Sequence, residues 1–324
     1  MNPLKSQAEQ FEALVQWLRA AIKAPEQFTL SYDAESSEFI RFNKAKVRQA
    51  GQVQQASLSL KLINEGRHAD VTITLGGNPA VDQLRLAQAL KQLLETLPLL
   101  PTDPYLLLNP EPWHSHKVQD QPLPDTAAVL DDIRRAADGV DLVGFYASGP
   151  ICYGYASSEG AFGWHQANSF NFDWSLFHSN GQAVKASYAG ADWDSQRFAQ
   201  RMQLAREQLA FLDRPVKALA PGEYRAYLAP AALEEVMSLL SWGSFSAQAL
   251  ASKASSLQKL YAGDAQLSPL VSFDEQVSQS LSPAFSGEGY PRQDLSLVKH
   301  GKANQQLVGS RSAAEYGLEV NGAP

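Results

Sequence analysis

The stretch Phe170-Asn171-Phe172-Asp173-Trp174-Ser175-Leu176-Phe177 alternates large apolar and polar side chains. In an extended chain, Phe170, Phe172, Trp174 and Leu176 share one face, and Asn171, Asp173 and Ser175 share the other. A half-buried strand of this kind belongs to an antiparallel sheet with one covered face. Ser179-Asn180-Gly181 follows, and Asn-Gly between alternating runs marks a tight hairpin. Moving outward, the alternation extends from Leu142 to Gly190, with a turn read at Tyr155 to Gly160. A helix opens at Asp125-Thr126 and runs to about Ala137. A long helix from Asp194 to Leu212 closes the block, with Asp194 or Ser195 as its cap.

An earlier block has the same order. Phe11, Leu14, Val15, Leu18, Ala21 and Ile22 repeat at helical spacing, and Pro25 marks the end. Period-two runs follow through Phe28–Tyr32, Ile40–Phe42, Val53–Ile63 and Ala69–Leu75. Gly51, Glu65-Gly66 and Gly76-Gly77 read as the turns between them. The blocks 5–75 and 126–190 share an order that a distant duplication would give, although their residues do not establish one. Val81 to Leu97 returns to helical spacing. The proline-rich connection from Pro98 to Pro124 reads as a long surface loop.

Arg214-Pro215 and Ala220-Pro221-Gly222 mark a boundary. Beyond it the sequence predicts a strand at Tyr224–Leu228 and a helix from Pro230 to about Trp242. A Ser/Ala-rich segment, Gly243–Ser256, comes next. Short strands at Leu270–Phe273, Leu295–Lys299 and Gln305–Val308 and a helix at Ser312–Tyr316 follow. The reading is an α+β (α/β) protein of two domains, 1–215 and 216–324, with antiparallel sheets and packed helices.

The 324 residues include 34 acidic and 27 basic side chains, for a net charge of -7. No basic cluster interrupts that balance, which disfavours nucleic acid as a partner. No apolar run approaches the ~20 residues of a membrane span. The single cysteine, Cys152, has no internal disulfide partner, which fits a reducing compartment. A polar Met1–Gln10 has no signal-peptide core. A cytoplasmic location is the expectation.

Candidate chemistry is sparse. Ala231–Trp242 follows a strand and a proline, a common setting for a catalytic helix. A zinc-hydrolase helix needs two imidazoles and a carboxylate base. This one offers Glu234 and Glu235 but no histidine. Its plainer reading is an amphipathic helix packing Leu233, Val236, Met237 and Leu240. His114-x-His116 shares a face if extended, with Glu111 and Asp120 nearby, but two imidazoles in a loop are more often solvated. Cys152 and His165 form a nucleophile–base pair only if the fold joins them, and a buried structural thiol is the commoner case. The loop Ser286–Arg292 is the most distinctive. Gly287 and Gly289 flank Glu288 and permit close approach of a ligand, with Arg292 beside them. The alternative is an ordinary glycine turn. The aromatic strand Trp164–Phe177 reads as core before it reads as a peptide groove.

Several stretches together resemble the TldD/PmbA family. Gly222-Glu223-Tyr224-Arg225-Ala226-Tyr227-Leu228-Ala229-Pro230 is similar to the segment before that family's central helix. Pro283-Ala284-Phe285-Ser286-Gly287-Glu288-Gly289 is similar to its "PFD-x-EG" loop, although the order is altered and the carboxylate is gone. Asp294–Gly301 resembles its late strand and turn. Ser310–Leu318, followed by Asn321-Gly322, resembles its "SxRTAxxxG" helix. Upstream, Ala156–Gly160 resembles its "NSxG" hairpin. The resemblance implies a two-domain architecture and dimers. It also implies that one branch holds zinc with an HExxxH helix while the PmbA (TldE) branch lacks the motif and partners the active subunit. The motif positions fall here on Ser238, Leu239 and Gly243. The chain thus resembles the PmbA side, with no catalytic residue, no metal and no cofactor to carry over. Its implied partners are a TldD-like homologous subunit or a second copy, and an extended peptide. The groove residues would be Gly287, Glu288, Gly289 and Arg292. Family members continue past Asn321-Gly322, so the resemblance implies an incomplete C-terminal domain.

Overall fold

The computed structural model describes residues 3–119 and 121–322, with side chains from Gln7 onward. Asp120 and the outermost residues of the terminal stretches read above lie outside these. Pro3–Ala21 forms α1, whose Phe11, Leu14, Val15 and Leu18 are all buried, as the helical spacing predicts. Three antiparallel strands follow: β1 (Gln27–Asn43), β2 (Lys46–Asn64) and β3 (Arg67–Thr74). Helix α2 (Pro79–Thr96) is capped by Asn78, whose side chain accepts from the Ala80 and Val81 N–H groups. After β4 (His114–Gln119) the same order returns as α3 (Thr126–Ala136), β5 (Asp141–Ser157), β6 (Phe162–Phe177), β7 (Ala183–Gly190) and α4 (Ser195–Phe211). Asp125 and Asp194 cap the two helices.

These seven strands form one sheet, ordered β3-β2-β1-β5-β6-β4, with β7 also paired to β6. The central strands β1 and β5 each have 17 residues and run antiparallel. The sheet is therefore two helix–three-strand–helix units joined back to back, with the same order of elements in each. Both units bury the even-numbered side chains of β1, β5 and β6 on one face. Under α1 and α2 lie Phe28, Leu30, Tyr32, Leu60, Cys152 and Trp164. Under α3 and α4 lie Phe42, Tyr146, Phe170, Phe172, Trp174 and Leu176. The alternation read at Phe170–Leu176 is thus the core face of β6.

The Asp82 carboxylate is fully buried, and it accepts from the Gly76 and Gly77 N–H groups at 2.8 and 2.9 Å and from Gln10 at 2.8 Å. It ties α1 to the turn before α2, since a buried carboxylate persists only when its oxygens are satisfied.

Several expectations need correction. Gly51 is not a turn but pairs with Phe39 in mid-strand. The Phe39 ring covers it, and a Cβ there would meet the ring at 2.9 Å. The turn lies instead at Lys44-Ala45, both at positive φ, and Ala45 is held by its N–H to the Leu142 carbonyl. Strand β5 continues to Ser157, so only Ser158–Gly160 turn. The proline-rich connection contains β4, which pairs parallel with the start of β6.

In the C-terminal part, α5 (Pro230–Ser241), α6 (Ala247–Ala251) and α7 (Gln258–Tyr261) precede a small sheet of β8 (Phe273–Glu275), β9 (Leu295–Lys299) and β10 (Lys302–Ala303). Helix α8 (Ser310–Tyr316) comes last. Phe245, Leu260, Leu295, Leu297 and Val298 form its core. Neither Tyr224–Leu228 nor Gln305–Val308 is a strand. The first has no neighbouring strand to pair with, and the second makes a single bridge from Leu307 to Ser246. No helix among the described residues is long and apolar enough to cross a membrane.

Candidate functional site

The C-terminal part seats on the sheet face opposite the helices. Phe285 packs on Trp113 at 5.5 Å, and Trp113 stacks on Tyr155 at 5.9 Å. The loop Ser286–Arg292 makes this seat. The Gly289 carbonyl accepts from Trp113 Nε1 and Asn109 Nδ2, both at 2.7 Å. Gly289 is at φ +82°, and a Cβ there would lie 2.2 Å from the Tyr155 hydroxyl. Only glycine fits that turn against that ring. Glu288 accepts from the Ser310 N–H at 2.9 Å, and Arg292 pairs with Glu275. Gly287 alone faces open space. The four residues expected to line a groove are therefore neighbours in one loop, and three of them are already engaged within the chain.

The segment before and within α5 has the opposite character. Residues 213–236 are exposed throughout. Val216, Tyr227, Leu239 and Trp242 are 88%, 88%, 77% and 92% exposed. Met237 and Leu240 turn partly inward, but Leu233 and Val236, expected to pack with them, are exposed at 44% and 43%. The amphipathic reading of α5 is thus half right: nothing among the described residues covers most of its apolar face. Ser238, Leu239 and Gly243 lie on or just beyond α5, and none of the three is a metal-ligating side chain.

Cys152 and His165 are separated by the pleat. Cys152 faces the helices beside Gln166, its cross-strand partner, whereas His165 pairs with Tyr153 on the other face. Burial pushes the Cys152 thiol up to about 12, so it stays protonated and inert. His165 is 1% exposed, and its Nε2 lies 3.0 Å from the Leu281 carbonyl. Desolvation holds its imidazole below the usual histidine range. A row of cross-strand neighbours, Ser57, Asp33, Tyr153, His165 and Lys117, crosses five strands on this helix-free face. Only His165 was singled out from the sequence, because the row exists only once the register is known.

His114 and His116 do share a face of β4, and that face looks toward α1. Among the described residues no group of three His, Cys, Asp or Glu side chains is placed to hold a metal ion.

Residues 221–324 match the family model described as the PmbA/TldA metallopeptidase C-terminal domain. No curated protein sequence matches the chain. The fold is shared with solved structures. One from Thermotoga maritima, described as a candidate modulator of a DNA gyrase, superposes with a TM-score of 0.74 at 14% identity, covering 97% of this chain and 74% of its own. TldE from Thermococcus kodakarensis gives 0.72 at 15% identity, with coverage of 97% and 73%. A Bacteroides thetaiotaomicron protein, also described as a candidate modulator of DNA gyrase, gives 0.73 at 15% identity, with coverage of 96% and 75%.

Proposed function

We infer, from the premise that this chain carries the PmbA/TldD-family C-terminal domain on that family's fold, that it is a non-catalytic subunit supporting peptide processing by a zinc-bearing homologue. One observation carries the reading. The helix α5, which with Gly243 just beyond it holds the motif positions Ser238 and Leu239, presents Leu233, Val236 and Leu239 outward with the extended arm before it. An exposed apolar run of that length fits a surface made to be covered by another subunit. The zinc and the general base would come from that subunit.

An edge of the sheet suits the peptide. Strand β3 pairs only with Ser57–Asn64 of β2, so the outer edge of β2 from Lys46 to Gln55 has no partner strand among the described residues. Strand β4 fills the corresponding edge of β6. A free edge of this kind takes an extended peptide by backbone hydrogen bonds, with little regard to its sequence.

Co-purification with an HExxxH-bearing homologue from the same cell tests the reading. The expected result is a mixed complex that cleaves unfolded peptide in a chelator-sensitive way, while the chain alone binds no stoichiometric zinc. Chelator-sensitive cleavage by the chain alone, lost on replacing His114 and His116, would overturn it in favour of a divergent metallopeptidase. Recovery of self-dimers only, with no activity beside the homologue, would overturn it in favour of a scaffold.

A further inference from the structure

A groove of about 540 Å³ lies on the helix-covered face, where α1 stops short of the sheet edge. Its floor is Trp164 and Gln166 of β6 with Val15 of α1. Val118 and His116 of β4 form one wall, and the outer turns of α1, carrying Glu9 and Glu12, form the other. It is on the opposite side of the sheet from the seat of the C-terminal part, and it shares no residue with the surfaces discussed above except the two histidines.

Two observations set its chemistry. Gln166 is 5% exposed and lines the groove, and its side-chain amide has no hydrogen-bond partner among the described residues; the Trp164 indole N–H beside it is likewise unpartnered. Of the two, the Trp164 N–H is fully buried with nothing to bond, at a cost of roughly 1–3 kcal/mol, and the Gln166 amide is left for a ligand or solvent in the groove. The second is charge. Glu9 and Glu12 have no ion-pair partner among the described residues. The one cation on the rim, Arg19, spends its guanidinium on the Ser157 and Ala161 carbonyls at 3.2 Å each. The rim therefore carries one net negative charge above an apolar and aromatic floor with a single free amide.

We propose that this groove binds an ammonium or guanidinium group on an apolar stem. The stem lies along Val15, Val118 and the Trp164 face, the cation meets Glu9 and Glu12, and Gln166 bonds a polar group beside the stem. A basic amino-acid side chain has this form, with its stem packed and its head paired. Such a chemistry arises in a basic residue of a peptide or protein, or in a free polyamine. This assignment goes beyond the subunit reading and stands whether or not a zinc-bearing partner exists.

Calorimetric titration of the intact chain tests it with three probes: acetyl-arginine methylamide, its citrulline counterpart, and spermidine. Saturable binding of the arginine compound, weakening as salt rises, is expected, with citrulline weaker by about tenfold or more, since it keeps the shape and lacks the charge. The double variant Glu9→Gln/Glu12→Gln changes only exposed positions of α1, so an unchanged melting curve shows that it folds. It should lose the preference for arginine over citrulline. Gln166→Leu should weaken both compounds together. Tighter binding of an arginine-centred tripeptide than of spermidine assigns the site to chain segments, and the reverse assigns it to polyamines. Equal affinity for arginine and citrulline, no effect of the double variant, or no saturation at millimolar probe overturns the proposal.

Discussion

At the scale of single residues, His165 makes the clearest prediction. Its folded pKa is depressed by burial, so the unfolded chain takes up a proton that the folded chain refuses. Stability from this group is complete above the unfolded value of about 6.5 and is lost as pH falls below it, at up to ~1.4 kcal/mol per pH unit. Urea melts at pH 7.5 and pH 5.5 should show this slope, and His165→Gln should flatten it. An unchanged slope in the variant would assign the effect elsewhere. Residue roles were only partly legible in the sequence. Cys152 reads correctly as a core thiol because free cysteine is usually buried. Gly51 misleads because glycine serves turns and close aromatic approach alike, and only the facing strand shows that Phe39 lies over it. In the candidate loop, Gly289 was visible as a glycine, but its reason, the hydroxyl of Tyr155, is 134 positions away in the chain (289 less 155).

At the scale of elements, period and caps located the helices and the long strands. The alternation over Phe170–Leu176, the cap at Asp194 and the strand Leu295–Lys299 all hold. Tyr224–Leu228 fails for a physical reason: local β propensity makes no strand without a neighbour to pair with. Helix α5 fails differently. Its spacing is amphipathic, but sequence spacing says which side is apolar and not what meets that side. Leu239→Ser and Trp242→Ser should therefore change stability by less than about 1 kcal/mol, whereas truncating a buried core leucine costs roughly 2–5 kcal/mol. On the proposed function, the same two substitutions should abolish assembly with the homologous subunit. Thermal melts and sizing by light scattering check both halves. A large loss of stability would place α5 in this chain's own core.

At the scale of the whole molecule, the repeated order of helix and strands was readable, but the single continuous sheet was not, because two separate sheets carry the same pattern. The pairing of β1 with β5 makes the difference. Both large cores lie within residues 1–215, so we expect that segment to fold alone with one cooperative melt, while 216–324, with its small core, does not. Circular dichroism of the two fragments checks this, and a non-cooperative 1–215 would show that the boundary at Arg214-Pro215 is misplaced. The shared central strands have a mechanical consequence. Strand β5 carries Tyr155 under the C-terminal part at one end, and Phe145, stacked on Phe39 at 5.9 Å, on the open face at the other. Ten extended residues put those ends roughly 33 Å apart. Between them the β1–β5 ladder is interrupted at Gly149-Pro150, opposite Ser36 and Ser37, while the β5–β6 ladder runs on unbroken. At that point β6 alone splints β5, so the seat of the C-terminal part and the open face around Phe145 are tied through a single ladder.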